Sequence, residues 1–295
     1  MKVLVTGGQG QLGRELYHIA KERGHEVVAV GRNELDITNL EECFSIVQNE
    51  KPDVIFHCAA FTAVDEAETQ VTDAFKINAF GSRNIALAAS KAAIKLVYIS
   101  TDYVFDGARE IPYHEYENTS PLNIYGHSKR AGEILVQNLI TKLYIVRTSW
   151  VFGAYGQNFV KSMIKLIQST SRLQVVNDQR GSPTYTKDLA QKLLELVDTE
   201  YYGTYHVTNS GDCSWYEFAR AIEEEMRSYS LTINAEIKPC DSSEYPQKAK
   251  RPHYSVMDSI ALECNGFGAL RSWREALTDF MTLLYSNRDG EKNKI

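Results

Sequence analysis

The 295-residue chain carries 32 Lys and Arg against 38 Asp and Glu; the net charge of −6 argues against a nucleic-acid binder and gives an anionic substrate no global attraction. No apolar run approaches the ~20 residues of a membrane span, and Met1-Lys2 leads straight into a strand, so neither a membrane partner nor a signal peptide is expected. Cys43, Cys58, Cys213, Cys240 and Cys264 are scattered without the Cys-x-x-Cys spacing of a zinc site and read as reduced thiols of a cytoplasmic protein.

Lys2–Thr6 is a β-branched apolar run, predicted as a buried strand, and it opens into Gly7-Gly8-Gln9-Gly10-Gln11-Leu12-Gly13. Leu12, Leu16, Ile19 and Ala20 then recur at helical spacing as far as Gly24, where a helix C-cap is wanted. Glu26–Val30 is the next strand. Strand, glycine turn, helix and strand make the context in which such a loop binds a dinucleotide. Gly7 permits the tight turn, Gly10 lets a pyrophosphate approach the backbone, and Gly13 lets the helix pack on the sheet. The helix N-terminus adds amide donors for phosphate. The second strand ends in Arg32 rather than in the acid that reads a ribose 2′-hydroxyl, so NADPH is expected; Glu34 and Asp36 leave NADH open.

Further along, Thr38 and Glu41 fit a capping box. Asp53–Ala60 reads as a strand ending in small residues, which leave room for a ligand. A long helix is predicted from Thr72 to Ala93, then a strand over Lys95–Thr101 that ends in two hydroxyls, Ser100 and Thr101. Sites in open α/β sheets form beyond the carboxyl ends of strands. The next helix carries Tyr125-Gly126-His127-Ser128-Lys129, whose spacing puts Tyr125 and Lys129 on one face, one turn apart. An ammonium beside a phenol is expected to lower the tyrosine from its usual ~10. The pattern is weak by itself. Its place between the strands Lys95–Thr101 and Leu143–Thr148 gives it force, because the first turn of the helix then faces Thr101. Thr101 can hold a carbonyl oxygen, Tyr125 can protonate it, and Lys129 can hold a cofactor ribose and tune the phenol.

In the second half, Asn158–Ile167 and Tyr185–Val197 read as helices, Leu173–Val176 and Gly203–Val207 as strands. The expected class is α/β: a doubly wound, Rossmann-type parallel sheet over residues 1–150, joined by part of 185–210, with a smaller α/β substrate domain over 151–295 interleaved with it. Lys248, Lys250, Arg251 and His253 form a basic cluster suited to a pyrophosphate. His57 and His206 are read as structural. The tail Asn287–Lys294 is polar and expected to fray.

Thr6-Gly7-Gly8-Gln9-Gly10-Gln11-Leu12-Gly13 matches the Thr-Gly-x-x-Gly-x-x-Gly pattern of the extended short-chain dehydrogenases/reductases, and Tyr125-Gly126-His127-Ser128-Lys129 matches their catalytic motif. Within that superfamily nearly the whole chain resembles the dTDP-4-dehydrorhamnose reductase family, most specifically at residues 35–38, 60–68, 100–107 and 179–184. The resemblance implies a catalytic trio of Thr101, Tyr125 and Lys129. It implies a pyrophosphate loop of Gly10, Gln11 and Leu12, flanked by Gly7 and Gly13, and an adenine contact at Asp36 and Ile37. Ala60, Phe61 and Thr62, with Ala59 and Ser100, are the implied wall along the cofactor. Asp102, Trp150 and Arg180 are the implied substrate contacts, with Val64 and Asp65. The implied reaction is NADPH-dependent reduction of the C4 keto group of dTDP-4-dehydro-β-L-rhamnose to dTDP-L-rhamnose, for cell-surface polysaccharide. Some members of the family dimerise around magnesium; no metal ligand is assigned in this sequence. Two alternatives stay open. One is an epimerase or dehydratase that retains its cofactor, for which Asp102 beside the trio's hydroxyl is a suitable acid. The other is a non-catalytic regulatory subunit on the same fold.

Overall fold

Short apolar runs and amphipathic stretches alternate through the chain, and each run becomes a strand buried on both sides by the helices that follow. The computed structural model describes residues 1–245 and 247–286, so the tail from Asn287 lies outside the described residues. In chain order the first half comprises β1 (Lys2–Thr6), α1 (Gln11–Glu22), β2 (Glu26–Val30), α2 (Leu40–Glu50), β3 (Val54–His57), α3 (Val64–Ala67), α4 (Val71–Phe75), α5 (Ser82–Ala92), β4 (Lys95–Thr101), α6 (Ile124–Gln137) and β5 (Leu143–Thr148). The second half comprises β6 (Val151–Phe152), α7 (Phe159–Ser169), β7 (Arg172–Val176), β8 (Arg180–Gly181), β9 (Thr184–Tyr185), α8 (Thr186–Val197), β10 (Gly203–His206), β11 (Cys213–Ser214), α9 (Trp215–Ser228), β12 (Glu236–Cys240), α10 (Ile260–Cys264) and α11 (Trp273–Tyr285).

Six strands form one parallel sheet in the order β10-β5-β4-β3-β1-β2. One face is covered by α1 and α8, whose Leu16, Leu189 and Leu193 pack on Val3, Val5 and Phe56. The other is covered by α2, α5 and α6, with Val47, Ile85 and Val136 against Leu4, Ile55 and Ile145. The chain runs outward from β1 in both directions, so a crevice opens between the carboxyl ends of β1 and β3. The strand β10 comes from beyond residue 200 and pairs in register with β5, Gly203 opposite Tyr144 through His206 opposite Arg147. Three two-stranded pairs (β6 with β9, β7 with β12, β8 with β11) and α7, α9 and α11 form the second layer. Its own core is aromatic: Phe152, Tyr185, Phe218 and Phe280.

Three local expectations are corrected. The cap of α2 is Asn39, whose side chain accepts from the amides of Glu41 and Glu42; Thr38 instead donates its hydroxyl to Asp36. The strand before the first small residues stops at His57, because Cys58 to Ala60 turn away where Gly7 approaches: a Cβ on Gly7 would lie 2.6 Å from the Ala59 amide. The long helix is interrupted by a π turn over Lys76–Gly81, which aims Asn78 inward.

Candidate active site

A cleft of about 1160 Å³ runs along the carboxyl ends of the sheet strands. At one end lies the glycine loop. The helix α1 begins with Gly10 as N-cap, with no side-chain cap and no acidic residue in its first turn. Its leading amides are left for an anion, and the positive end of the helix dipole points the same way. The loop is shaped for close approach: a Cβ on Gly13 would run into the Gly7 carbonyl, and one on Gly8 would lie 2.8 Å from Ala29. This cradle fits a dinucleotide pyrophosphate. Beyond it, Asp36 accepts from both the amide and the hydroxyl of Thr38, at 2.9 and 2.8 Å. Those bonds from Thr38 hold the Asp36 carboxyl below the usual carboxylate range. Arg32, exposed at this edge of the cleft, makes no hydrogen bond or ion pair among the described residues. The nearby Glu34 accepts from the Gly31 amide at 2.8 Å.

At the centre, β4 brings Thr101 and α6 brings Tyr125. Asn123 caps α6 by accepting from the Gly126 amide at 2.8 Å, and Gly126 is needed because a Cβ there would meet the Tyr103 carbonyl. That close approach seats Tyr125 against the end of β4. Burial pushes the Tyr125 phenol well above its usual value, and the hydrogen bond with the Thr101 hydroxyl is what pulls against that shift. The expectation of a lowered phenol is therefore corrected. In this structure the Lys129 ammonium donates to the Ile99 carbonyl at 2.5 Å and lies 4.2 Å from the centre of the Tyr98 ring. Burial lowers it to about 7, against the attraction of Glu133. Asp102 follows Thr101, 2 % exposed, and accepts from its hydroxyl at 3.0 Å through Oδ1, while Oδ2 has no hydrogen-bond partner among the described residues. Burial pushes this carboxyl up to about 6.

The far end is built from the second layer. Trp150 adopts φ +48°, a left-handed conformation unusual for a bulky residue, and stacks on Trp215 at 3.5 Å and 7°. Gly181 makes room for it, since a Cβ there would lie 2.6 Å from the indole. Arg251 reaches the cleft, donating to Asp65 at 2.9 Å and to the Tyr103 hydroxyl at 3.3 Å.

The cleft brings together Gly7, Gly10, Gln11, Leu12, Gly13, Arg32, Asp36, Ile37, Ala59, Ala60, Thr62, Val64, Ser100, Thr101, Asp102, Tyr125, Lys129 and Trp150. Three expected residues do not line it. Phe61 has its amide and carbonyl both tied to the Asn78 side chain. Asp65 accepts from the Ala249 amide at 3.0 Å and pairs with Arg251, which borders the cleft in its place. Arg180 turns to the opposite side, paired with Asp212 at 2.7 Å and Glu217 at 3.2 Å, beside a separate shallow depression. Neighbours on a strand face opposite ways, so with Gly181 under the indole, Arg180 points elsewhere. Of the basic cluster only Arg251 borders the cleft, while His253 joins Arg180. His57, bonded to Thr6 and Ser82, and His206, between two carbonyls, are buried and held down to about 3 by burial, as expected of structural histidines. Sequence reasoning missed Asn78, Tyr98, Tyr103, Glu133 and Trp215. Only Glu133, four residues after Lys129 on the same helix, carried a readable signal.

Residues 1–286 match the family described as RmlD substrate binding domain. The chain is 43 % identical over 280 residues to the spore coat polysaccharide biosynthesis protein SpsK of Bacillus subtilis, covering 95 % of this chain and 96 % of that one. It is 41 % identical to the dTDP-4-dehydrorhamnose reductase of Aggregatibacter actinomycetemcomitans, covering 94 % and 97 %. The crystal structure of dTDP-4-dehydrorhamnose reductase from Bacillus anthracis in complex with NADP superposes with a TM-score of 0.92 at 44 % identity, covering 96 % and 99 %. A Thermus thermophilus UDP-glucose 4-epimerase, 18 % identical with a TM-score of 0.80, shares the fold. With matches of this length and identity, the chain belongs to the dTDP-4-dehydrorhamnose reductase family of NADP-dependent oxidoreductases.

Proposed function

We propose that the chain reduces the C4 keto group of dTDP-4-dehydro-β-L-rhamnose to give dTDP-L-rhamnose, with Tyr125 as the proton donor. The observation that carries this reading is the meeting of the Tyr125 phenol and the Thr101 hydroxyl at the end of β4, in the same cleft as the glycine loop. A phenol pushed up by burial is protonated at neutral pH, the state a donor to a developing alkoxide needs. Thr101 turns its single hydroxyl proton from Asp102 to orient the keto oxygen, and solvent restores the Tyr125 proton after transfer. Bound NADPH supplies the hydride to C4. Gln11 and Leu12 hold the pyrophosphate through their amides while Gly10, its own amide on the Gly7 carbonyl, lets it come close; Asp36 and Ile37 border the adenine end, and Lys129 donates to the ribose. Arg251 at the cleft supplies a cation for the sugar nucleotide's pyrophosphate, and Trp150 with Trp215 forms a flat wall beside the sugar.

The test is NADPH oxidation with dTDP-4-dehydrorhamnose, set against the UDP- and GDP-linked keto-sugars. It should also include dTDP-4-keto-6-deoxy-D-glucose, the substrate named for a Streptomyces niveus relative 38 % identical to this chain. Turnover should be fastest with dTDP-4-dehydrorhamnose, and Tyr125→Phe should lower it at least ~100-fold with NADPH binding retained. A variant within tenfold of wild type removes Tyr125 from the role. Cofactor retained through purification, with no net NADPH consumption, favours an epimerase or dehydratase, for which the buried acid Asp102 beside Thr101 is the relevant group.

A further inference from the structure

We propose that Tyr98 is a positioning residue for Lys129: its ring is the floor on which the ammonium rests, and its hydroxyl holds the backbone of the same lysine. The inference rests on Lys129 acting on the cofactor. Tyr98 is fully buried in β4, three residues before Thr101, on the side that faces α6. The Lys129 ammonium lies 4.2 Å from the centre of its ring, close enough for the negative face of the ring to attract a cation. The Tyr98 hydroxyl donates to the backbone carbonyl of the same lysine at 3.1 Å. Gly132 leaves a notch for that hydroxyl, since a Cβ there would collide with it. One side chain thus holds Lys129 at both ends, by its backbone and by its charged tip. The Ile99 carbonyl takes one of the three ammonium donors, which leaves two for a ligand in the cleft that Lys129 lines.

The charged form needs this support. Facing the ammonium are His57 from β3, Cys58 just after it, Tyr98 from β4, and Glu133 from its own helix. Burial disfavours the charge, and His57 is neutral and contributes none. Glu133 is fully buried and ionised, fixed by Arg147 through two bonds of 2.9 Å, by Arg130 at 2.9 Å and by Ser100 at 2.6 Å. A neutral amine would gain little from the ring or from Glu133, so both select the ammonium.

The experiment is the pH profile of kcat/KM, with NADPH affinity by fluorescence titration, for Tyr98→Phe, Tyr98→Leu and Lys129→Ala. Tyr98→Leu should move the alkaline limb down by about one pH unit and weaken NADPH binding several-fold above neutral pH. Tyr98→Phe keeps the ring and should restore the limb. Should the leucine variant not fold, phenylalanine carrying one, two or three ring fluorines at position 98 keeps the shape while draining the ring's negative face. The limb should then fall step by step with fluorination. A limb that stays put across this series, or equal losses with phenylalanine and leucine and no shift, overturns the proposal. Full activity in Lys129→Ala overturns the underlying reading of the lysine instead.

Discussion

The two ends of the cleft are built by opposite means. The dinucleotide end is made of backbone: glycines without Cβ atoms, uncapped amides at the start of α1, and strand ends that splay where the sheet order reverses. The sugar end is made of side chains brought from far apart, Asp65 with Arg251 and Trp150 with Trp215. The first kind of site tolerates almost no added atoms and rests on close backbone contacts, Gly7 against Ala59 among them. The second depends on tertiary contacts between segments up to 186 residues apart. A backbone cradle should thus fail abruptly, and a side-chain site by degrees.

The sharpest way to break this contrast is Gly13→Val. Its side chain would run into the Gly7 carbonyl, and NADPH affinity by fluorescence titration should fall by ~100-fold or more, or the protein should not fold. A loss under threefold would mean the loop can reshape. Arg251→Ala should raise KM for the dTDP-sugar by ~10- to 30-fold, because it removes a charge-assisted donor, with NADPH affinity unchanged. Equal loss of both ligands would place Arg251 in the fold rather than at the sugar. Protonation offers a third measurement. Burial lowers Lys129 to about 7, and it is charged below that value. An anionic cofactor favours the charged form and raises it, so NADPH binding should take up protons at pH 7–8 and weaken as pH rises. Calorimetry in buffers of different ionisation enthalpy reads this directly, and zero uptake would contradict it. The smallest effect is expected at Glu34→Gln, which removes a negative charge beside Arg32 while keeping an acceptor for Gly31. The NADPH to NADH affinity ratio should rise about threefold at low salt and less at high salt.

The same contrast explains what could be read from the sequence. Strands β1, β2, β4 and β5 fall where their apolar runs predict, and Gly7, Gly10 and Gly13 occupy the turn their spacing implies. These signals are local, so one sequence suffices. Arg180 was misread because a motif says nothing about which face of a two-residue strand a side chain takes. Trp215 went unseen because its partner lies 65 residues upstream and only the stack joins them. The resting place of the Lys129 ammonium was hidden for a subtler reason. Helical spacing brings two residues to one face but does not say where a long side chain ends, and here it ends on Tyr98.

The return of β10 to the main sheet bears on how the chain comes apart. A fragment stopped at residue 150 would leave β5 as a bare edge, with Tyr144 and Val146 stripped of α8 and of their strand partner. An unpaired apolar edge of this kind invites pairing with other copies. Such a fragment should aggregate rather than bind nucleotide, whereas the whole chain should melt in a single transition. A protease cut within 198–202 would part α8 from β10 inside the first layer without removing any residue that touches the cleft.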